Sequence, residues 1–62
     1  METLRADELE IGNILLNDDG TYQDTVLDKY DDPGDGIWLE TVFTEGYVEP
    51  DMMFNVDKPY NE

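Results

Sequence analysis

Seventeen carboxylate side chains stand against three basic ones in a chain of 62 residues, and this imbalance restricts the fold more than anything else. A formal net charge of −14 has to be spread over the outside of a very small core, and its self-repulsion opposes any compact state. A folded chain of this length has an expected radius of gyration of ~11 Å and a diameter of roughly 27 Å. Duplex DNA carries one charge per ~1.7 Å of axis, so fourteen charges correspond to about 24 Å of duplex. The chain therefore matches DNA in charge per unit length.

The apolar inventory is just sufficient for one domain, taken as residues 1–62 with a short N-terminal arm (1–8) and a flexible tail (57–62). Leu, Ile, Val and Phe make up 15 of the 62 residues, above the roughly 20% below which a highly charged chain is expected to stay disordered. Small domains commonly add disulfides or a metal to an undersized core. Here Cys, His and Ser are all absent, which removes disulfides, thiolate and imidazole zinc sites, and the serine and cysteine triads. Seventeen acids will place some carboxylates together in any fold, so their proximity does not mark a catalytic pair. No enzyme activity and no cofactor are expected. No apolar run approaches the ~20 residues of a membrane span. Met1-Glu2-Thr3-Leu4-Arg5 has neither the basic nor the apolar part of a signal peptide, and a cytoplasmic protein is expected.

Patterning points to β structure. Residues 1–8 predict one helical turn or an irregular arm. Residues 10–16 (Glu10-Ile11-Gly12-Asn13-Ile14-Leu15-Leu16) read as a first strand, closed by the turn residues Asn17-Asp18-Asp19-Gly20. Residues 21–30 read as a second strand, with Tyr22, Asp24, Val26, Asp28 and Tyr30 on one alternate face. That face mixes acids with apolar groups, a conflict that a strand twisting across a barrel rim would resolve. The acidic turn from Asp31 to Gly36 leads into a third strand over 37–43. Its two faces are Ile37, Leu39, Thr41, Phe43 and Trp38, Glu40, Val42, as for a central strand. Thr44-Glu45-Gly46 is expected to turn into Tyr47-Val48-Glu49; Pro50 ends that strand, and residues 52–56 form a fifth.

The expected fold is mainly β: a curled antiparallel sheet of four or five short strands forming a small SH3-like or OB-like barrel. The succession of Glu10 to Leu16, the Asp19-Gly20 turn, Tyr22 and then Asp35-Gly36-Ile37-Trp38-Leu39 is similar to small SH3-like barrels. In those, an Ile-Gly start, an Asp-Gly hairpin and a Gly-Ile-Trp third strand recur. The resemblance implies a fold and no activity.

Asp31-Asp32-Pro33-Gly34-Asp35-Gly36 looks like a calcium loop but fails where the geometry is strict. With Asp31 first, Pro33 occupies the third position and Val42 the twelfth, where a bidentate Glu is needed. No metal site is assigned. Direct nucleic-acid binding requires Lys and Arg, and only Arg5, Lys29 and Lys58 exist.

The carboxylates themselves remain, as surrogates for phosphates. Alternate residues of a strand lie ~6.8 Å apart, two rises of one DNA strand. Asp24 and Asp28 on a strand, with Asp31, Asp32 and Asp35 on the adjoining loop, are expected to form a negative track. Asp18 and Asp19 on the first hairpin, and Glu45, Glu49 and Asp51 on a second edge, would extend it. Trp38, Tyr22 and Tyr30 are the candidate aromatic anchors of an interface, and Trp38 has core packing as its other reading.

In size and charge the chain resembles the general class of acidic phage inhibitors. The expected function is a nucleic-acid mimic blocking the basic groove of a host protein. Such hosts are a DNA glycosylase, a restriction or CRISPR nuclease, an RNA polymerase or a histone-like protein. The alternative is a small β adaptor or structural subunit that binds through a sheet edge and Met52, Met53 and Phe54. A homodimer stays open. Adaptation to a salty cytoplasm, a further source of acidity, fits poorly with one Ala and with Lys outnumbering Arg.

Overall fold

The computed structural model describes residues 2–57. Six strands form one antiparallel sheet that curls without closing. In chain order they are β1 (Glu2–Arg5), β2 (Ile14–Leu16), β3 (Tyr22–Asp32), β4 (Gly36–Thr41), β5 (Glu45–Val48) and β6 (Met53–Asp57), and a 3₁₀ turn (Ala6–Glu8) follows β1. The sheet order is β1-β6-β2-β3-β4-β5, so β1 and β5 are the two edges. No helix among the described residues is long and apolar enough to cross a membrane.

The mainly β, curled antiparallel architecture is the expected one, with six strands in place of four or five. The additional strand is β1, in the segment read as an arm; it pairs with β6 from Glu2↔Val56 to Arg5↔Met53. The expected first strand shortens to three residues. Asn13 Oδ1 accepts the Glu10 N–H at 2.7 Å, and the Asn13 N–H donates to the Glu10 carbonyl at 3.0 Å, so residues 10–13 form a turn. The tail assigned to 57–62 loses Asp57 to β6; residues 58–62, including Lys58, lie outside the described residues.

The core is the concave side of the curl. Leu9, Leu15, Val26, Leu39 and Val56 are buried together, with Leu4, Val48 and Phe54 packed around them. Each inner strand thus sends one side chain into the core, and Leu9 reaches in from the loop after the 3₁₀ turn.

β3 belongs to both halves of the sheet because it carries two bulges. Leu15 pairs with Asp24 but Leu16 with Tyr22, which leaves Gln23 extra. Val26 pairs with Thr41 but Asp28 with Glu40, which leaves Leu27 extra. Each extra residue reverses the alternation. Tyr22 therefore faces outward, Asp24 and Val26 inward, and Asp28, Tyr30 and Asp32 outward again. This resolves the mixed face expected from strict alternation. Asp24 is the acid that turns inward.

Asp24 is only 6% exposed, and it organises the β4–β5 hairpin. Its Oδ2 accepts the Thr41 hydroxyl at 2.6 Å, and its Oδ1 accepts the N–H of Thr25 at 2.8 Å and of Phe43 at 3.4 Å. The Thr41 N–H bonds to the Thr44 carbonyl at 2.8 Å, closing a two-residue turn at Val42 and Phe43. The expected turn at residues 44–46 is displaced accordingly. Phe43, placed by alternation on the same strand face as Ile37, Leu39 and Thr41, sits at the hairpin tip and is 71% exposed. Gly36 fixes the other end of this hairpin. Its φ is +109°, and a Cβ there would stand 2.7 Å from the Val48 carbonyl oxygen, so only glycine lets β5 approach.

Burial raises the carboxyl pKa of Asp24, but the hydrogen bonds from Thr41 and from the Thr25, Phe43 and Val42 amides outweigh it, and the net shift is downward. A carboxyl with a depressed folded pKa contributes stability that is complete above its unfolded value of ~3.9 and is lost as pH falls through the folded value. Asp24→Asn is expected to abolish that part of the acid transition. Asp24→Ala removes the charged acceptor of the Thr41 hydroxyl and the Thr25 amide, leaving that hydroxyl the Thr44 carbonyl at 3.1 Å, and should cost about 1.5–3 kcal/mol at neutral pH. Urea denaturation of the three proteins between pH 7 and pH 2 checks both; an unchanged acid transition in Asp24→Asn contradicts this role.

Candidate functional site

The convex side of β3, β4 and β5 gathers the side chains with most to offer a partner. Residues paired across antiparallel strands point to the same side, and here the core side is already taken by Ile37 and Leu39. The opposite side carries two rows. One row is Asp28, Glu40 and Glu45, from the pairs Asp28↔Glu40 and Glu40↔Glu45. The next is Tyr30, Trp38 and Tyr47, from Tyr30↔Trp38 and Trp38↔Tyr47. The rows are two residues apart along each strand, ~6.8 Å. Beyond the aromatic row comes Asp32, opposite Gly36.

The aromatic row is continuous. The Trp38 ring lies 6.4 Å from that of Tyr30 at an interplanar angle of 27° and meets Tyr47 edge-on at 5.1 Å. Such pairs contribute about 0.5–1.5 kcal/mol beyond their burial. Trp38 is thus half-buried by its two tyrosine neighbours, outside the core cluster. Tyr30 and Tyr47 remain about half exposed. At the far side of the carboxylate row, Leu27, Val42 and Phe43 form an exposed apolar knob around the hairpin tip.

The carboxylate row has no cation of its own. Among the described residues the basic side chains are Arg5 and Lys29. Arg5 pairs with Asp7 at 3.0 Å, a contact that raises its pKa. Lys29 lies on the core side opposite Leu39 and donates from Nζ to the Asp7 carbonyl at 3.0 Å. Like charges directly opposed across strands cost stability, and here three stand in line.

The remaining acids named from sequence divide into those occupied by the fold and those on other surfaces. Asp19 holds its own turn, accepting the Thr21 hydroxyl at 2.6 Å and the Thr21 N–H at 3.0 Å, which lowers its pKa. Asp18 accepts from Asn55 Nδ2 at 3.0 Å, tying that loop to β6. Asp32 caps its turn by accepting the Gly34 N–H at 3.1 Å and also accepts the Tyr47 hydroxyl at 3.0 Å, both of which lower its pKa. Asp31 and Asp35 are exposed near the same turn, and Glu49 follows β5 directly. Asp51 lies near Arg5, where the chain at Pro50 and Met52 bonds back to Asp7 and Ala6. Asp18 and Asp19 sit at the opposite end of β3 from Asp32 and Asp35, so the acids do not form one continuous track. The structure brings Asp28, Asp32, Glu45 and Trp38 together and leaves Asp18, Asp19 and Asp51 apart. Asp24 is inside.

Glu40 and Tyr47 complete this face but were not selected by sequence reasoning. Glu40 was placed on the same strand face as Trp38, yet its partner across the hairpin depends on where the turn falls. The displaced turn puts it opposite Glu45 and puts Tyr47 opposite Trp38.

No group of three or more His, Cys, Asp or Glu among the described residues is arranged to hold a metal ion. Comparison with protein-family models, with curated proteins and with solved structures finds no match for this chain.

Two measurements probe this face. The hydrogen bond to Asp32, assisted by desolvation and by the Asp32 charge, pushes the Tyr47 pKa up to about 12. A phenol whose folded pKa is raised adds stability that is complete below its ordinary value of ~10 and is lost as pH rises through about 12. Ultraviolet titration should show one late-ionising tyrosine, which Asp32→Asn returns toward the ordinary range; no late component in the parent protein would contradict the contact. Second, Glu40→Gln relieves repulsion from both sides and should raise stability by about 0.2–1 kcal/mol. The gain should shrink in ~1 M salt, where the Debye length is ~3 Å. Urea midpoints at low and high salt read this directly.

Proposed function

We propose that this protein is an acidic nucleic-acid mimic, of the kind phages encode against their hosts, which occupies the basic groove of a nucleic-acid-binding protein. The observation that carries the reading is the uncompensated carboxylate row Asp28–Glu40–Glu45 beside the aromatic row Tyr30–Trp38–Tyr47. A groove built for nucleic acid presents cations for phosphates and flat apolar or guanidinium surfaces for bases. The convex face offers the counterpart of each: along β3 Asp28 and Asp32 lie four residues apart, ~13.6 Å or about four nucleotide rises, with Tyr30 between them. Arginines that otherwise stack on bases can stack on Trp38 or Tyr47.

The wider charge field supports the same reading. Fourteen net negative charges lie on a body whose longest extent is 34 Å. Such a field accelerates encounter with a basic cleft and weakens steeply with salt. The mechanism is competitive exclusion, without chemistry.

The adaptor reading draws on a different feature, the exposure of Met52 and Met53 with Phe54 half-buried beside them. It requires binding that survives high salt and depends on Phe54 more than on the carboxylates.

The test is capture from bacterial lysate at low salt on the immobilised protein. Elution follows with duplex DNA at constant ionic strength. Basic nucleic-acid-binding proteins should be released by the DNA, and they should fail to bind a Glu40→Lys/Glu45→Lys variant. Retained partners that are not basic, or that DNA does not displace, overturn the proposal.

A further inference from the structure

The free edge of β5 and the groove beside it are not used by the convex face. β5 ends the sheet and pairs with β4 alone. The orientation of its backbone follows from the hairpin. The Thr41 N–H bonds to the Thr44 carbonyl, so residues 41 and 44 are a hydrogen-bonded pair. Antiparallel pairs alternate between bonded and open. Glu40↔Glu45 and Trp38↔Tyr47 are therefore the open pairs. The N–H and C=O groups of Glu45 and Tyr47 point away from β4, toward the vacant side where the sheet fails to close.

Beside that edge lies a groove of about 260 Å³ whose lining combines Leu39, Val48, Met52 and Phe54 with the polar Asp24 and Thr41. It falls below the ~300–1,000 Å³ usual for small-molecule sites. Gly46 adds no side chain to its rim, and nothing stands within 4 Å of where a Cβ would be. The arrangement is suited to alternate side chains of an extended segment.

We propose that β5 receives an extended segment of the basic partner as a seventh strand, in which cationic and apolar residues alternate. The inference rests on the reading of the partner as basic and specifies the form its contact takes. Residues of the segment facing the convex side lie beside Glu45 and Tyr47, where Lys or Arg pairs with the carboxylate and a guanidinium stacks on the phenol. Residues of the other parity lie beside Gly46 and Val48 and enter the groove. Main-chain bonds to Glu45 and Tyr47 supply affinity, and the two-sided alternation supplies specificity. A second copy of this chain is a poor occupant, since it brings another fourteen net negative charges to the same edge. The edge excludes itself and admits the opposite sign.

The test uses two eight-residue probes of equal composition with blocked termini, one alternating arginine and valine, the other carrying them in two blocks. Binding is followed by backbone NMR in ~0.15 M salt, with hydrogen exchange at the amides of Glu45 and Tyr47. The alternating peptide should bind at least ~10-fold more tightly, a difference of about 1.4 kcal/mol, and should protect those two amides. Glu45→Pro removes one outward N–H while sparing the internal ladder, and it should weaken the alternating peptide several-fold more than Glu45→Gln does. Equal binding of the two peptides, or no protection of Glu45 and Tyr47 in the parent protein, overturns the inference even if Glu45→Pro does not fold. DNA-displaceable capture that persists in Glu45→Pro overturns the added strand and leaves the mimic reading standing. Strand addition without DNA-displaceable partners does the reverse.

Discussion

The contact between Asp24 and Thr41 decides how the rest of this protein is arranged. One acid out of seventeen is placed inside, in a chain whose charge makes any burial of a carboxylate expensive. The expense is offset by the Thr41 hydroxyl and by the backbone amides of Thr25 and Phe43, all of which donate to this carboxylate. Because Asp24 holds Thr41 and the Phe43 amide, β4 turns at Val42–Phe43. That choice of turn puts Glu40 opposite Glu45 and Trp38 opposite Tyr47. The convex face is thus a consequence of a buried hydrogen bond on the opposite side of the same strands, next to Glu40 in sequence, and the apolar residues at the hairpin tip are held out in solvent by the same group.

The acids do three different kinds of work. Asp19 and Asp32 build turns, and Asp24 anchors a hairpin. Asp28 accepts the Lys29 N–H at 2.8 Å beside the bulge at Leu27, whereas Glu40 and Glu45 do none of these; the alignment of the three costs folding stability and meets no cation among the described residues. The aromatic row beside it shows a second economy: Trp38, Tyr30 and Tyr47 screen one another from water, so a large aromatic surface stays displayed without being fully wet.

Much of the architecture was legible in the sequence because it depends on local chemistry. Asn17-Asp18-Asp19-Gly20 specifies its turn with its own side chains, Pro50 stops a strand, and Ile37, Leu39 and Thr41 alternate as a buried face must. Three features were not legible. β1 has a mixed pattern because it is an edge strand, with only Leu4 needed by the core. The turn at Val42–Phe43 lacks Gly, Asn or Asp because its geometry is stabilised from β3, nineteen positions earlier in the case of the Asp24–Phe43 bond. The bulges at Gln23 and Leu27 leave no composition signal, since both residues are ordinary in strands. The candidate site suffered from the same gap: acidic residues could be counted from the sequence, but their sorting into inside, turn and face depends on those bulges.

The two bulges also set a rule of parity for the chain. Were Leu27 paired within the ladder instead of left extra, every side chain beyond it would change sides. Asp28, Tyr30 and Asp32 would be driven toward the core, and Lys29 and Asp31 would take their places on the convex face, bringing a positive charge to it. Deleting Leu27 outright would instead leave Val26 and Asp28 facing Thr41 and Glu40 in a regular ladder, with every other side chain on its present side. The place of the bulge along β3 is therefore coupled to the sign of the surface the strand presents.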